Sequence, residues 1–170
     1  MTVSNQEQAV MTIPAFSSGA PTELSLTFTA SAEKRLIEAR TVNPITYTDL
    51  EHCFNESYRE LRTNLAKLGF MLAEAEKTAK KARAEFLIDK YPELMKDRPK
   101  SQDNADMREA FLTRDDAYMA ALDRVNQLKA TEALFDGKIK VMENVCRYMK
   151  KQMDLILRSG LSGSNHYGQK

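Results

Sequence analysis

The sequence predicts a mainly α-helical protein: a long antiparallel, coiled-coil-like helical hairpin with a small N-terminal strand and helix segment, assembled as a homo-oligomer. Three observations carry this expectation. The 170 residues hold only six Gly and five Pro, which favours long helices over many tight turns. Two long stretches repeat apolar residues in steps of three and four, the mark of helices packed along a seam. A polar stretch containing Pro92 and Pro99 separates them and folds one helix back on the other.

Each element can be justified in chain order. Residues 1–22 are polar and broken by Ser17, Ser18, Gly19 and Pro21, and read as a disordered tail. Residues 23–47 form the small N-terminal element. In it "ELSLTFTA" alternates Leu24, Leu26 and Phe28 with Ser25, Thr27 and Thr29, a short strand. Ser31 is placed to cap a short helix through "AEKRLIEAR", and Pro44 breaks the chain after it by holding Asn43 extended.

The hairpin itself spans residues 48–159. Thr48 and Glu51 have capping-box spacing at the start of the first helix. Its seam runs Leu50, Phe54, Tyr58, Leu61, Leu65, Leu68, Leu72, Ala75, Ala79, Ala82 and Phe86, and Pro92 predicts an end near Tyr91. The second helix is expected from about Asn104 to Ser159. Its seam is Met107, Phe111, Arg114, Tyr118, Ala121, Val125, Leu128, Glu132, Phe135, Ile139, Met142, Cys146, Met149, Met153 and Ile156. Gly160 provides a stop, leaving 160–170 as a flexible tail. Leu122, Leu134, Val145, Leu155 and Leu157 lie off this seam, an apolar arc too wide for one partner helix. The surplus should be covered by the N-terminal elements or by other copies of the chain, and Met142, Met149, Met153 and Ile156 are the residues expected to carry self-association.

The chemistry of catalysis and of metal binding is sparse. His52 and His166 are the only histidines, no Cys/His cluster or phosphate-loop motif occurs, and the carboxylates lie on exposed helix faces. We therefore expect no enzyme activity and no cofactor. Cys53 and Cys146 form no CxxC pair and predict reduced thiols, with Cys146 packed in the seam. With no signal-like N-terminus and no apolar run of membrane length, the expected setting is cytoplasmic, away from membranes.

A net charge of +1 conceals segregation. Residues 77–100 carry eight Lys or Arg against four Asp or Glu, residues 101–136 carry four against eight, and residues 137–158 carry six against two. "EKTAKKARAEF" concentrates Lys77, Lys80, Lys81 and Arg83. Two readings are open. The cluster could set hairpin register against Asp115 and Asp116, which a fold point near residue 97 would bring opposite. Alternatively the four cations hold a phosphate backbone by displacing its counterions.

"KTAKKARAEF" resembles the basic segment of the UvsY family of phage recombination mediators, in which a Lys-Ala-Arg triplet late in the first long helix precedes an aromatic residue. Here these are Lys81, Ala82, Arg83 and Phe86. The likeness continues in order through a Tyr-containing break, an acidic Met-Arg start at Asp106, Met107 and Arg108, and the ending "MDLILRSG" at Met153–Gly160. It covers about residues 45–160; the first 45 residues and the tail lie outside it. The resemblance implies a single-stranded-DNA-binding mediator that forms ring-like homo-oligomers and helps load a RecA-like recombinase onto DNA covered by single-strand-binding protein. It would make Lys81 and Arg83 DNA contacts, and it favours the phosphate reading for Lys77 and Lys80 beside them. The C-terminal helix would carry assembly. Tyr91 is the one nearby aromatic that the sequence leaves free for base stacking. The competing reading is a helical assembly component that binds no nucleic acid.

Overall fold

The computed structural model describes residues 9–15, 20–99 and 103–164, the last five as backbone only. In chain order these residues form β1 (Val10–Ile13), β2 (Thr22–Ser25), α1 (Thr27–Lys34), α2 (Tyr47–Glu85), α3 (Tyr91–Met95), α4 (Ala105–Leu112) and α5 (Asp116–Ser164). A 3₁₀ turn lies at Glu38–Thr41 and a π turn at Phe86–Lys90. The fold is mainly helical, and α2 and α5 are the long antiparallel arms of a hairpin, as the heptads predict. The arms run through two compact units, one of residues 1–65 with 135–170 and the other of residues 66–134.

In the first unit β1 and β2 pair antiparallel with Met11 opposite Leu24 and Ile13 opposite Thr22. That face turns inward, so Ile13 and Leu24 are buried. β1 lies inside the stretch whose polarity predicted a disordered tail. Pairing with β2 satisfies its backbone, a gain that composition does not register. The expected strand over residues 24–28 is also displaced: it ends at Ser25, and Thr27 already begins α1. No residue of its own caps α1. Glu60 of α2 does so instead. Its Oε2 accepts the Thr29 N–H at 2.8 Å and the Thr29 hydroxyl at 2.9 Å, and its Oε1 accepts the Ser25 hydroxyl at 2.7 Å. Asn64 donates to the Ser25 carbonyl at 2.6 Å and the Ser57 hydroxyl to that of Thr29 at 3.4 Å, which explains why Ser57 and Asn64, both off the apolar seam, are buried. The core between the arms takes Leu50, Phe54 and Leu61 from α2 and Phe135, Ile139, Met142, Met149 and Met153 from α5. Arg62 reaches Glu143 across the arms at 3.6 Å.

The start of α2 also differs from the capping-box expectation. Asn43 Oδ1 accepts the N–H groups of Ile45 and Thr46 at 2.9 and 3.1 Å, and its carbonyl accepts that of Tyr47 at 2.9 Å. This Asn–Pro turn launches the helix at Tyr47, one residue before Thr48 could cap it. At the other end α5 runs on to Ser164, past the stop predicted at Gly160. Glycine permits a left-handed cap but does not impose one. The disorder predicted for 1–8, 16–19 and 165–170 falls outside the described residues.

In the second unit Leu68, Ala75 and Ala79 of α2 and Ala121, Val125 and Leu128 of α5 are buried. Glu76 pairs with Lys129 at 3.2 Å, and Lys90 pairs with Asp115. The residue numbers of both pairs sum to 205, so the register centres about five residues beyond the fold point of 97 that the sequence suggested. Pro92 does not end the first arm at Tyr91. Lacking an N–H, it cannot donate to the preceding turn, and the chain widens into the π turn, where the Tyr91 N–H bonds to the Phe86 carbonyl five residues back. Phe86 and Tyr91 consequently share a face and bury with Leu112 in one cluster. The second arm is not continuous from Asn104. Asn104 caps α4 by accepting the Met107 N–H at 2.8 Å. The helix then breaks at Thr113–Asp115, and Asp115 caps α5 by accepting the Tyr118 N–H at 3.0 Å. The break moves burial from Phe111 and Arg114 to Leu112 and Asp115, and so leaves the polar Arg114 exposed.

Candidate nucleic-acid interface

The sequence-predicted cluster lies on α2 in the second unit. Ala75 and Ala79 fix the inward side of the helix. At about 100° per residue, Lys77, Lys80 and Lys81 share an outward arc, while Arg83 turns toward the flank of the buried face. All four are exposed.

Their partners divide them. Lys81 Nζ lies 3.5 Å from Glu85 Oε1 one turn on, and Arg83 Nη2 lies 3.4 Å from Glu109 Oε2 of α4. Lys77 and Lys80 have no carboxylate partner among the described residues. Asp115, which the earlier register placed opposite this cluster, is instead held by Lys90 and buried. The Lys90 ammonium, joined by the Tyr118 N–H, holds the Asp115 carboxyl below the usual carboxylate range. Glu76 with Lys129 and Lys90 with Asp115 pair across the arms, and within the Lys77–Arg83 block only Arg83 does so among the described residues, to Glu109.

Two sequence expectations need correction here. Tyr91 is not free to stack on a base: it is only 7% exposed, its ring meets Phe86 and Phe111, and its hydroxyl donates to Asp103 at 2.8 Å. The π turn, which period arithmetic does not foresee, is what carries it inward. The residues assigned to self-association also lie elsewhere than expected. Met142, Met149 and Met153 are buried within the single chain, and of the four only Ile156 is exposed, at 36%. The three methionines therefore face the core of the chain rather than its surface.

Both cysteines are free thiols. Cys53 Sγ lies 3.9 Å from the Ser31 hydroxyl, and Cys146 is half-buried, its thiol pushed up first by burial and then by Glu51. No group of three or more His, Cys, Asp or Glu is placed to hold a metal ion among the described residues, and none of their helices is long and apolar enough to cross a membrane.

Comparison of the chain with protein-family models, curated proteins and solved structures found no match.

Proposed function

We propose that the chain is a single-stranded-DNA-binding recombination mediator of UvsY type, without catalytic activity. It acts as a homo-oligomer in the cytoplasm of the cell, the host cell if the protein is phage-encoded, and helps load a RecA-like recombinase onto DNA coated by single-strand-binding protein. The observation that supports this reading is the outward arc of α2, where Lys77 and Lys80 stand exposed and form no ion pair with a carboxylate among the described residues. Cations so placed are available to displace counterions from a phosphate backbone.

A second reading, a helical assembly component with no nucleic-acid role, is favoured by the Lys81–Glu85 and Arg83–Glu109 pairs, which neutralise half of the cluster. Titration of labelled single-stranded DNA at two salt concentrations separates the two. Under the mediator reading, Lys77→Ala with Lys80→Ala lowers affinity and reduces the slope of log affinity against log salt by about 1.4 for two lost contacts, with helicity unchanged. An absence of binding by the wild-type chain at low salt would leave the assembly reading.

A further inference from the structure

The second basic block of the sequence, residues 137–158, is resolved by the fold into a surface of its own in the first unit. Lys140, Asn144, Arg147, Lys151, Asp154 and Arg158 follow one another in steps of four and three along α5. They form a single straight row roughly 27 Å long at a rise of about 1.5 Å per residue. All six are exposed. Among the described residues, none of the four cations forms an ion pair. The one polar partner in the row is internal, with Arg147 Nη1 donating to Asn144 Oδ1 at 3.5 Å. This contrasts with the α2 cluster, where Lys81 and Arg83 each have a carboxylate.

Beside the row lies a concave slot of about 590 Å³, lined by Leu36, Ala39, Arg40, Val141, Asn144, Val145 and Tyr148. Most of its lining is aliphatic, Tyr148 adds an aromatic ring, and Arg40 and Asn144 add polar groups. Asn144 belongs to both row and slot. Tyr148 is 43% exposed, and its hydroxyl lies 3.5 Å from the Arg40 carbonyl oxygen.

We infer that α5 carries a second polyanion surface, on which the phosphodiester backbone of a single-stranded nucleic acid follows Lys140, Arg147, Lys151 and Arg158 while an unstacked base enters the slot against Tyr148. A straight row of cations suits a linear polyanion, and an aromatic slot alongside it suits a ligand carrying planar groups at intervals. A duplex keeps its bases stacked and has none to offer the slot. Apolar side chains do lie exposed beside the cations, Val141, Tyr148 and Leu155 among them, but a slot that takes one planar group favours a nucleic acid over a lipid surface, and the vesicle arm of the test decides between them. The inference shares its ligand class with the function proposed above but none of its residues.

The test is a fluorescence titration of the full chain with a labelled thymidine 20-mer, with an abasic strand of the same length and with anionic phospholipid vesicles, each at two salt concentrations. Arg147→Ala with Lys151→Ala should weaken the 20-mer at least fivefold and reduce its salt slope by about 1.4. Tyr148→Leu keeps an apolar wall. It should weaken the 20-mer by roughly fivefold or more and leave the abasic strand unchanged, since stacking needs a base. Circular dichroism melts confirm that each variant is folded, and Arg147→Gln with Lys151→Gln replaces the alanine pair if that pair is not. An unchanged 20-mer affinity for the α5 variant, alongside a loss for Lys77→Ala with Lys80→Ala, overturns this inference and leaves the α2 site standing. The reverse pattern upholds it and removes the α2 site. Equal weakening of both strands by Tyr148→Leu overturns the base slot. Vesicle binding stronger than oligonucleotide binding, and lost in the same variant, overturns the choice of nucleic acid as the ligand.

Discussion

At the scale of single residues, the side chains that matter most to the N-terminal unit are those that a seam count passes over. Glu60 looks like one more solvated carboxylate, yet it satisfies a helix start that has no cap of its own. Glu60→Ala leaves the Thr29 N–H and two hydroxyls without their acceptor and should cost about 1–2 kcal/mol in urea unfolding, in line with loss of a helix cap. Glu60→Gln, which retains one acceptor oxygen, should cost less. Asp115 gives a pH signature. Its pKa is lowered, so its ionised form is the one the fold prefers. That stabilisation is present in full above the unfolded value of about 4 and is lost as pH falls through the lower folded value. Melting temperatures of the wild type should therefore decline on acidification below about pH 4, and Asp115→Asn should decline less steeply over the same range. Neither role was legible in the sequence. Both depend on which distant backbone or side chain lies opposite, and one chain read alone offers no such pairing.

At the scale of elements, the two long arms were legible because their apolar spacing is sustained over many turns, and the residues it selected on α5 from Ala121 to Met153 are largely the ones buried. The departures occur where something other than period decides. Thr113-Arg114-Asp115 contains no Gly or Pro, so the α4–α5 break was invisible beneath an unbroken pattern of threes and fours. Tyr91 joined the core through a five-residue turn that no heptad count includes. The cationic cluster on α2 was legible as a cluster, but its division into paired and unpaired halves was not, because Glu109 comes from α4. Propensity still operates on the exposed faces. Gly137 lies within α5, and a Cβ added there would meet nothing within 4 Å. Gly137→Ala should therefore stabilise the chain by up to about 1 kcal/mol, read as a rise in melting temperature.

At the scale of the whole molecule, burial of the methionines changes what a seam substitution would do. Met149 is fully buried. Met149→Lys should thus abolish the cooperative melt of the first unit, because the charge is forced into a closed apolar core. Loss of near-native circular dichroism is the expected readout, and a variant that stayed folded while merely changing its mass in light scattering would return these residues to an assembly role. The division into two units carries a further consequence for synthesis on the ribosome. The second unit is one uninterrupted stretch, residues 66–134, and is complete as soon as residue 134 has emerged. The first is split: Leu50, Phe54 and Leu61 are made early but find their partners only when Phe135 to Met153 arrive. At roughly 5–20 residues per second, the roughly 90 residues from Leu61 to Met153 take on the order of 5–20 seconds to make. For that interval the nascent chain presents half of a core, and this is the window in which a chaperone or a neighbouring nascent copy would meet it.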